Sequence, residues 1–337
     1  MRKTATVFAP RLDIPFKQSP IPTSRGPIAP IRTFWRDFIT CLAHQLQREG
    51  WDVYVDEQPM WMITEDYVRS CTSDIVFIPH KIAKYFDVRP KNAFYYMQMV
   101  IPNLFTIDRY GWGADTSFWP LTASWHKYTP KFSELCDRAS NGISKFGQPP
   151  LTSNLKLPEQ FIFFPCQLPH DETIRYHSRV SVEEALTNTI IIASALKLPV
   201  VVKGHPVNPG SMAPLKHIAE SFKKTSWYVE WFDQGNIHEF LTKCTAVFTV
   251  NSGVGFEALL HHKHVFTFGL ADYHNAATHI PTEMIRDLGF VTNMYEAVMA
   301  YPRNMQGNFV ETYYHKCFDV ADYSSWGKLP SVIGVGE

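Results

Sequence analysis

The order of hydrophobic and polar positions divides the first half of the chain into strand-like runs separated by helical runs. Residues 4–9 are predicted to form a strand, and residues 31–50 an amphipathic helix that ends at Gly50. Residues 51–57 and 73–80 are predicted as further strands with a helix-like segment between them. This alternation is typical of a parallel sheet with helices on its faces.

The same alternation is clearer in the second half, where five short apolar runs are predicted as strands. They are residues 161–166, 198–204, 227–232, 245–250 and 264–268. Ser181 with Glu184, and Asn236 with Glu239, have the spacing of capping boxes that begin helices. The sequence therefore predicts an α/β, doubly wound sheet, and right-handed crossovers would place the loops after its strands along one edge.

Two stretches interrupt the alternation. Residues 94–119 are aromatic without clear periodicity and are predicted to be irregular and to line a cleft, with burial as a hydrophobic loop as the alternative. Residues 138–160 are rich in Ser, Asn, Gly, Gln and Pro, which is a linker composition. We therefore expect two domains, 1–150 and 151–337, with the last helical segment packing back on the N-terminal domain.

Composition narrows the class of protein. Of the 337 residues, 45% are hydrophobic and 19% are charged, which indicates a globular chain. Lys plus Arg and Asp plus Glu both number 32, and the resulting zero net charge argues against a nucleic-acid partner. Six scattered cysteines without a CxxC pair, no signal-peptide core and no apolar run of about 20 residues favour a cytoplasmic protein, with any membrane contact peripheral.

Three of the predicted strand ends in the second half carry unusual sets of polar residues. The first set follows residues 161–166 and comprises Gln167, His170, Asp171, Glu172, Arg175, His177 and Ser178. The second is Lys203–Pro206 (KGHP), and the third is Asn251–Glu257 (NSGVGFE). Because the strands should run parallel in one sheet, these loops are expected to converge on a single ligand.

The third loop is predicted to bind an anion. Ser252 and Gly253 stand where a helix begins, and a helix N-terminus offers unpaired N–H groups and the positive end of the helix dipole. Lys203 and His205 could face the same phosphate, and Glu257 lies about one turn into the helix, within reach of a ribose hydroxyl. The alternative is an ordinary βαβ crossover whose glycines permit close packing, since neither GxGxxG nor a Walker motif is present.

A metal site is the weaker interpretation of the nearby histidines. His261 and His262 would point in different directions on a helix, and His264 lies beyond its end. We therefore expect no metal and no cofactor apart from the donor substrate.

The order of FPCQLPHDETIRYHS, KGHP and TVNSGVGFEALLHHKHVFTFG resembles the bacterial capsule polysaccharide synthesis family, which includes the retaining β-Kdo transferases. The similarity covers about residues 160–275, whereas the first domain matches loosely. KGHP and the Asn/Ser-Gly turn are also similar in kind to those of bacterial polysialyltransferases, which use CMP-sialic acid. The resemblance implies a GT-B fold, two Rossmann-like domains facing a cleft, with CMP-Kdo bound by the second.

The resemblance also implies roles for individual residues. His205 would contact the CMP phosphate, supported by Lys203 and the Asn251–Gly253 turn, and Gln167 would join the donor site. Asp171 matches the position of the family's nucleophilic carboxylate, which forms a covalent glycosyl-enzyme intermediate.

Three assignments around that carboxylate are less constrained. Arg175 or His177 could hold the Kdo carboxylate. The family often has Ser and Gln after its aspartate, whereas Glu172 and Thr173 stand here, so Glu172 competes for the catalytic role. A purely structural Asp171 that caps a turn is the other alternative.

The expected activity is therefore metal-independent, retaining transfer of Kdo from CMP-Kdo to a capsule, lipopolysaccharide or O-antigen polysaccharide or to a lipid-linked oligosaccharide. The first domain would contact the acceptor through Asp108, Arg109, Trp112 and Asp115, and a lipid-linked acceptor would imply docking at the inner membrane face. The alternatives are a transferase for another CMP-activated acidic sugar, a sugar-nucleotide epimerase that uses a uridine diphosphate donor, and a noncatalytic glycan-binding module.

Overall fold

The computed structural model describes residues 2–11, 31–81, 92–117, 130–142, 148, 156–206, 208–225, 227–285, 287, 289–290, 293, 296 and 303–334. These residues contain two six-stranded sheets with helices between the strands. The chain divides into two compact units: unit 1 is Met1–Ser117 with Tyr313–Glu337, and unit 2 is Phe118–Thr312.

The sheet of unit 1 has the strand order β12-β5-β4-β3-β1-β2. Its strands are β1 (Thr4–Pro10), β2 (Asp52–Gln58), β3 (Ile75–Pro79), β4 (Ala93–Gln98), β5 (Leu104–Asp108) and β12 (Phe318–Asp319). The neighbours from β2 to β4 pair in parallel, whereas β5 runs antiparallel to both β4 and β12.

The sheet of unit 2 has the order β11-β10-β9-β6-β7-β8, and all its pairs are parallel. Its strands are β6 (Ile162–Pro165), β7 (Val200–Lys203), β8 (Val229–Phe232), β9 (Ala246–Thr249), β10 (His264–Thr267) and β11 (Thr278–His279). The five strands predicted from the sequence are all present, and β11 is an additional short one.

The described residues contain ten α-helices. They are α1 (Ile31–Arg48), α2 (Glu65–Arg69), α3 (Pro130–Ser140), α4 (Glu172–His177), α5 (Val182–Ala195), α6 (Ala213–Lys224), α7 (Ile237–Lys243), α8 (Gly253–Leu260), α9 (Arg303–Lys316) and α10 (Leu329–Ile333). Both predicted capping boxes are confirmed, at the starts of α5 and α7. After α1, Gly50 adopts a φ of 84°, a left-handed conformation that suits glycine and ends the helix.

The prediction that residues 94–119 are irregular is wrong for the first part of this stretch. Both β4 and β5 are buried along their whole length. A strand that is covered on both faces shows no polar alternation, so the period of two that identifies a strand is missing. Residues 109–117 form the irregular part, and residues 118–119 lie outside the described residues.

The boundaries between the two units lie at other positions than the sequence predicted. The predicted linker begins inside α3, and residues 143–147 and 149–155 lie outside the described residues. Helix α3 belongs to unit 2, where the Phe132 ring contacts that of His262 at 5.5 Å and Asn236 Nδ2 donates to the Gly142 carbonyl at 3.3 Å. The C-terminal residues from Tyr313 onward belong to unit 1, because β12 pairs with β5.

Candidate functional site

The three polar loops follow adjacent strands at the carboxyl edge of the unit 2 sheet. Strand β6 lies between β9 and β7, so the loop containing Asp171 stands between the Asn251 turn and KGHP. The Cys166 amide donates to the Lys203 carbonyl at 2.9 Å, which joins the ends of β6 and β7. The expectation that these loops open along one edge of one sheet is therefore confirmed.

The turn between β9 and α8 is built by local capping and by one tyrosine. Ser252 is the N-cap of α8, and its Oγ accepts from the Val254 amide at 3.2 Å. Tyr273 Oη donates to the Ser252 carbonyl at 2.5 Å, and a Cβ on Gly255 would lie only 2.2 Å from this hydroxyl. Gly255 is thus a packing glycine, whereas Gly253 is exposed at the first position of the helix.

Asp171 is the N-cap of α4 and is partly exposed. Its Oδ1 accepts from the Thr173 amide and from Thr173 Oγ1, both at 2.9 Å. Among the described residues, Oδ2 of Asp171 makes no hydrogen bond. The capping role is therefore real, and it uses one oxygen of the carboxylate.

The other candidates on α4 differ in accessibility. Glu172 is half-buried on the first turn, and Arg175 is exposed. The His177 side chain is only 6% exposed, and its carbonyl accepts from the Leu270 amide at 2.8 Å. Of the two side chains predicted to hold a sugar carboxylate, Arg175 is the one that solvent reaches.

KGHP places a buried cation beside the Asp171 loop. Lys203 is 3% exposed, and its Nζ donates to the Gly204 carbonyl at 3.4 Å. Burial raises the pKa of the Cys166 thiol, and the nearby Lys203 cation opposes this rise. A Cβ on Gly204 would lie 3.1 Å from the Trp231 ring, which explains the glycine, and His205 is half-buried at the loop.

Gln167 and Asn251 form a buried amide pair beneath the turn. They are 8% and 7% exposed, and Gln167 Nε2 donates to Asn251 Oδ1 at 2.9 Å. The sequence assigned both to donor binding, but the structure directs these amide groups toward each other and toward backbone. Two residues of this site were not predicted from the sequence, because neither carries a signal of its own. They are Thr249, which donates to Gln167 Oε1 at 3.1 Å, and Tyr273.

Glu257 lies in the interior between α7 and α8. It is 6% exposed, and its Oε1 is 3.8 Å from His238 Nε2, while His238 Nδ1 is 2.8 Å from His261 Nε2. Burial, followed by the charges of His238 and Lys263, lowers the His261 pKa to about 4. The structure thus brings Glu257 to a histidine pair, whereas the sequence assigned it to a ribose hydroxyl.

The remaining histidines of this region are held by separate contacts. His264 Nε2 is 2.8 Å from Thr278 Oγ1, and its ring stacks on Phe266 at 4.3 Å. His262 packs edge-on against Phe132. Within the described ranges, no group of three or more His, Cys, Asp or Glu side chains has the arrangement of a metal site.

The four predicted acceptor residues lie at the end of β5 and in the loop that follows it, in unit 1. Asp108 is 3% exposed, and its two oxygens accept from the Tyr110 amide at 2.8 Å and from Ser117, whose amide donates at 2.9 Å and whose hydroxyl also donates. The buried Asp108 carboxylate therefore fixes the conformation of the loop through these hydrogen bonds.

The other three predicted acceptor residues, Arg109, Trp112 and Asp115, lie in the same loop. The Arg109 guanidinium lies 5.1 Å above the Phe94 ring, and the Trp112 ring contacts His80 edge-on at 5.1 Å. Asp115 is half-buried. His80 adopts a φ of 48°, which is uncommon for a residue other than glycine, and no feature of the sequence indicated it.

No helix of the described chain has the length and hydropathy needed to cross a membrane.

Comparisons with known proteins agree with this architecture. Residues 149–277 match the family model described as capsule polysaccharide biosynthesis protein. No curated protein sequence gives a significant match. Among solved structures, the chain is similar to the KpsC β-Kdo 2,7 transferase of Thermosulfurimonas dismutans, with 15% identity, 97% of this chain and 99% of that chain covered, and a TM-score of 0.51.

Two further structures have TM-scores below 0.5. The KpsC β-Kdo 2,4 transferase of the same organism is 16% identical over 81% of this chain and 85% of its own, with a TM-score of 0.48. The UDP-GlcNAc 2-epimerase of Methanocaldococcus jannaschii is 7% identical over 99% and 100%, with a TM-score of 0.43.

The predicted α/β, GT-B-like class with two Rossmann-like sheets is confirmed by the two sheets and by the fold likeness to KpsC. All three polar loops fall within residues 149–277, the segment that matches the family model. The resemblance to the capsule polysaccharide synthesis family is therefore confirmed over the part of the chain that carries the candidate site.

Proposed function

We propose that this protein is a retaining glycosyltransferase that moves Kdo from CMP-Kdo to a surface polysaccharide or a lipid-linked oligosaccharide. The observation that carries the proposal is the convergence of three polar loops at one sheet edge, inside the segment that matches the capsule family, with the Asp171 carboxylate partly exposed between the other two loops. Kdo is proposed as the sugar because the fold neighbour KpsC is named a β-Kdo transferase.

The nucleotide phosphate would bind between the α8 N-terminus and KGHP. Helix α8 is eight residues long, its first residue is exposed, and its dipole places positive potential at Gly253. Lys203 is the last residue of β7, which lies on the opposite side of β6 from β9, so KGHP and the α8 turn follow the two strands that flank β6. With His205, these groups would stabilise the charge that develops on the departing CMP, so we propose a reaction that needs no metal.

Asp171 would be the nucleophile. One carboxylate oxygen attacks the anomeric carbon, the bond from that carbon to the CMP phosphate oxygen breaks, and a glycosyl-aspartyl ester forms. The acceptor hydroxyl then loses its proton and attacks the same carbon, which releases the carboxylate. Two inversions give net retention. The hydrogen bonds from Thr173 to Oδ1 fix the carboxylate orientation.

The neighbouring side chains would complete the site. Exposed Arg175, one turn along α4 from Asp171, would pair with the Kdo carboxylate. Glu172 would be the base for the acceptor hydroxyl and is the competing candidate for the nucleophile. The loop after β5, with Arg109 and Trp112, belongs to unit 1 and is proposed separately as an acceptor-binding surface.

The test is transfer by purified protein with CMP-Kdo and a capsule-type oligosaccharide acceptor. Asp171→Asn is expected to abolish transfer while CMP still raises the melting temperature as it does for the native protein. Glu172→Gln is expected to lower transfer as well, because it removes the proposed base. Glu220→Gln is the control, because it removes an exposed carboxylate of α6 that has no proposed role. Full transfer by Asp171→Asn would contradict the mechanism.

The choice of nucleotide separates the other functions. Transfer from CMP-sialic acid in preference to CMP-Kdo would change the donor within the same enzyme class. Stabilisation by UDP and not by CMP would favour an epimerase, and binding of neither nucleotide would favour a noncatalytic module.

A further inference from the structure

One buried amide pair connects the turn proposed to hold phosphate with the helix that carries Asp171. Gln167 Oε1 accepts from the Asn251 amide at 3.0 Å and from Thr249 Oγ1 at 3.1 Å, and its Nε2 donates to Asn251 Oδ1 at 2.9 Å. Gln167 therefore forms hydrogen bonds with both the backbone and the side chain of Asn251. These hydrogen bonds connect the end of β9 with Gln167, in the loop after β6.

Asn251 continues the connection toward Asp171. Its Nδ2 donates to the Thr173 carbonyl at 2.9 Å and to the Leu270 carbonyl at 3.1 Å. Thr173 is the residue whose amide and hydroxyl hold Asp171 Oδ1. Asn251 therefore contacts Thr173, which in turn holds the Asp171 carboxylate. In the chain, Asn251 directly precedes Ser252, the N-cap of α8.

The far end of α4 is held by the same loop that Asn251 binds. The Leu270 amide donates to the His177 carbonyl at 2.8 Å, and a Cβ on Gly269 would lie 3.0 Å from that carbonyl oxygen. Helix α4 is therefore packed closely at its last turn, and Asn251 supplies the polar contact at its first turn.

We propose that Asn251 and Gln167 are positioning residues that fix the Asp171 carboxylate relative to the α8 N-terminus, and that they do not bind the nucleotide themselves. The inference rests on the proposed function. A nucleophile and a leaving phosphate on opposite sides of one carbon must stay aligned, and a displacement of about 1 Å can cost about 100-fold in rate. Both Nδ2 hydrogens of Asn251 are directed at backbone carbonyls inside the protein, so this donor group is occupied.

The test compares Asn251→Ala with Asn236→Ala in the full-length protein. Asn236 is a matched control in the same unit, because its Oδ1 accepts from the His238 amide at 3.0 Å and its Nδ2 donates to the Gly142 carbonyl. Both variants are expected to lower the melting temperature. Asn251→Ala alone is expected to slow kcat and single-turnover formation of the glycosyl adduct by about 100-fold, with KM and the Kd for CMP changed less than about threefold.

A second measurement does not depend on turnover. Backbone hydrogen exchange of residues 172–177 is expected to accelerate in Asn251→Ala and to stay unchanged in Asn236→Ala. Asn251→Asp is expected to behave like Asn251→Ala or worse, because it sets an acceptor oxygen against two carbonyl oxygens. If Asn251→Ala does not fold, Gln167→Met gives the same comparison with a smaller loss of kcat, about tenfold.

Three results would overturn the inference. They are an unchanged exchange rate in α4, an unchanged kcat, and a loss of CMP binding larger than the loss of kcat, which would make Asn251 a nucleotide ligand. Failure of the proposed function is distinguishable, because the native protein would then form no adduct with CMP-Kdo, while the exchange experiment would still test the structural link.

Discussion

Asp108 and Asp171 are both aspartates that the sequence assigned to a site, and they have very different surroundings in the structure. Asp108 is the last residue of the buried strand β5, whereas Asp171 caps α4 in the loop after β6. Asp108 is 3% exposed and accepts hydrogen bonds on both oxygens, whereas Asp171 is partly exposed and accepts on Oδ1 alone. The number of carboxylate oxygens already in use separates a residue that builds a loop from one that is available for chemistry.

The largest expected effect is the loss of transfer activity when the Asp171 carboxylate is removed. Asp171→Ser keeps a side-chain oxygen at the helix cap and eliminates the nucleophile, so transfer should fall by at least about 1,000-fold while stability changes by less than about 1 kcal/mol. Initial rates and urea unfolding measure the two quantities. Asp171→Ala should lose transfer equally and also about 1 kcal/mol of cap stability. Near-normal transfer by Asp171→Ser would show that the cap is the whole role of this residue.

The complementary change at Asp108 should affect stability first. Asp108→Ala removes the acceptor of three partly buried hydrogen bonds from Tyr110 and Ser117, which should cost about 2 kcal/mol of unfolding free energy. Asp52→Ala is the matched control in unit 1, because the Arg2–Asp52 pair is exposed and should contribute less than about 1 kcal/mol. Equal unfolding midpoints for the two variants would contradict the assignment of Asp108 as a loop-building residue.

These two aspartates also show how far the sequence can predict this site. The five predicted strands of unit 2, the capping boxes and the order of the three loops depend on local pattern and were predicted correctly, whereas β4 and β5 were not. The burial of Asp108 depends on a hydrogen bond to Ser117, nine residues away, and the pairing of Gln167 with Asn251 joins residues 84 apart. Contacts of that kind leave no periodic signal, and for the same reason Glu257 was assigned to a ribose and not to His238.

A smaller effect is expected at the α8 turn. Gly255→Ala places a Cβ against the Tyr273 hydroxyl, and the required shift should cost about 2 kcal/mol and distort the Ser252 cap. Thermal unfolding and CMP titration would both report it. Gly253→Ala, two residues earlier in the same helix and exposed, is the control and should change stability by less than about 1 kcal/mol. An equally stable Gly255→Ala would show that the turn can move without cost.

The last expected effect is a pH dependence of stability at the pair formed by His238 and His261. The folded pKa of His261, about 4, lies below its ordinary value of 6.5, so the unfolded chain binds a proton that the folded chain does not. Stability should therefore fall as pH decreases from about 6.5 toward 4. His238, Glu257, His262 and Lys263 are the charged or titratable groups near this ring.

His261→Gln should reduce that slope, because it removes one titrating ring. Melting temperatures measured at intervals between pH 7 and 4.5 would compare the variant with the native protein. Parallel curves would mean that other groups cause the acid sensitivity.

The central claim, that the partly exposed carboxylate of Asp171 forms a bond to the donor sugar, is tested most directly by mass spectrometry of the protein after incubation with CMP-Kdo without acceptor. We predict one added Kdo, located at Asp171 by fragmentation of the peptide that also contains Glu172. The adduct should be present in Glu172→Gln and absent in Asp171→Asn. An adduct on Glu172, or full transfer activity with no adduct on either carboxylate, would contradict it.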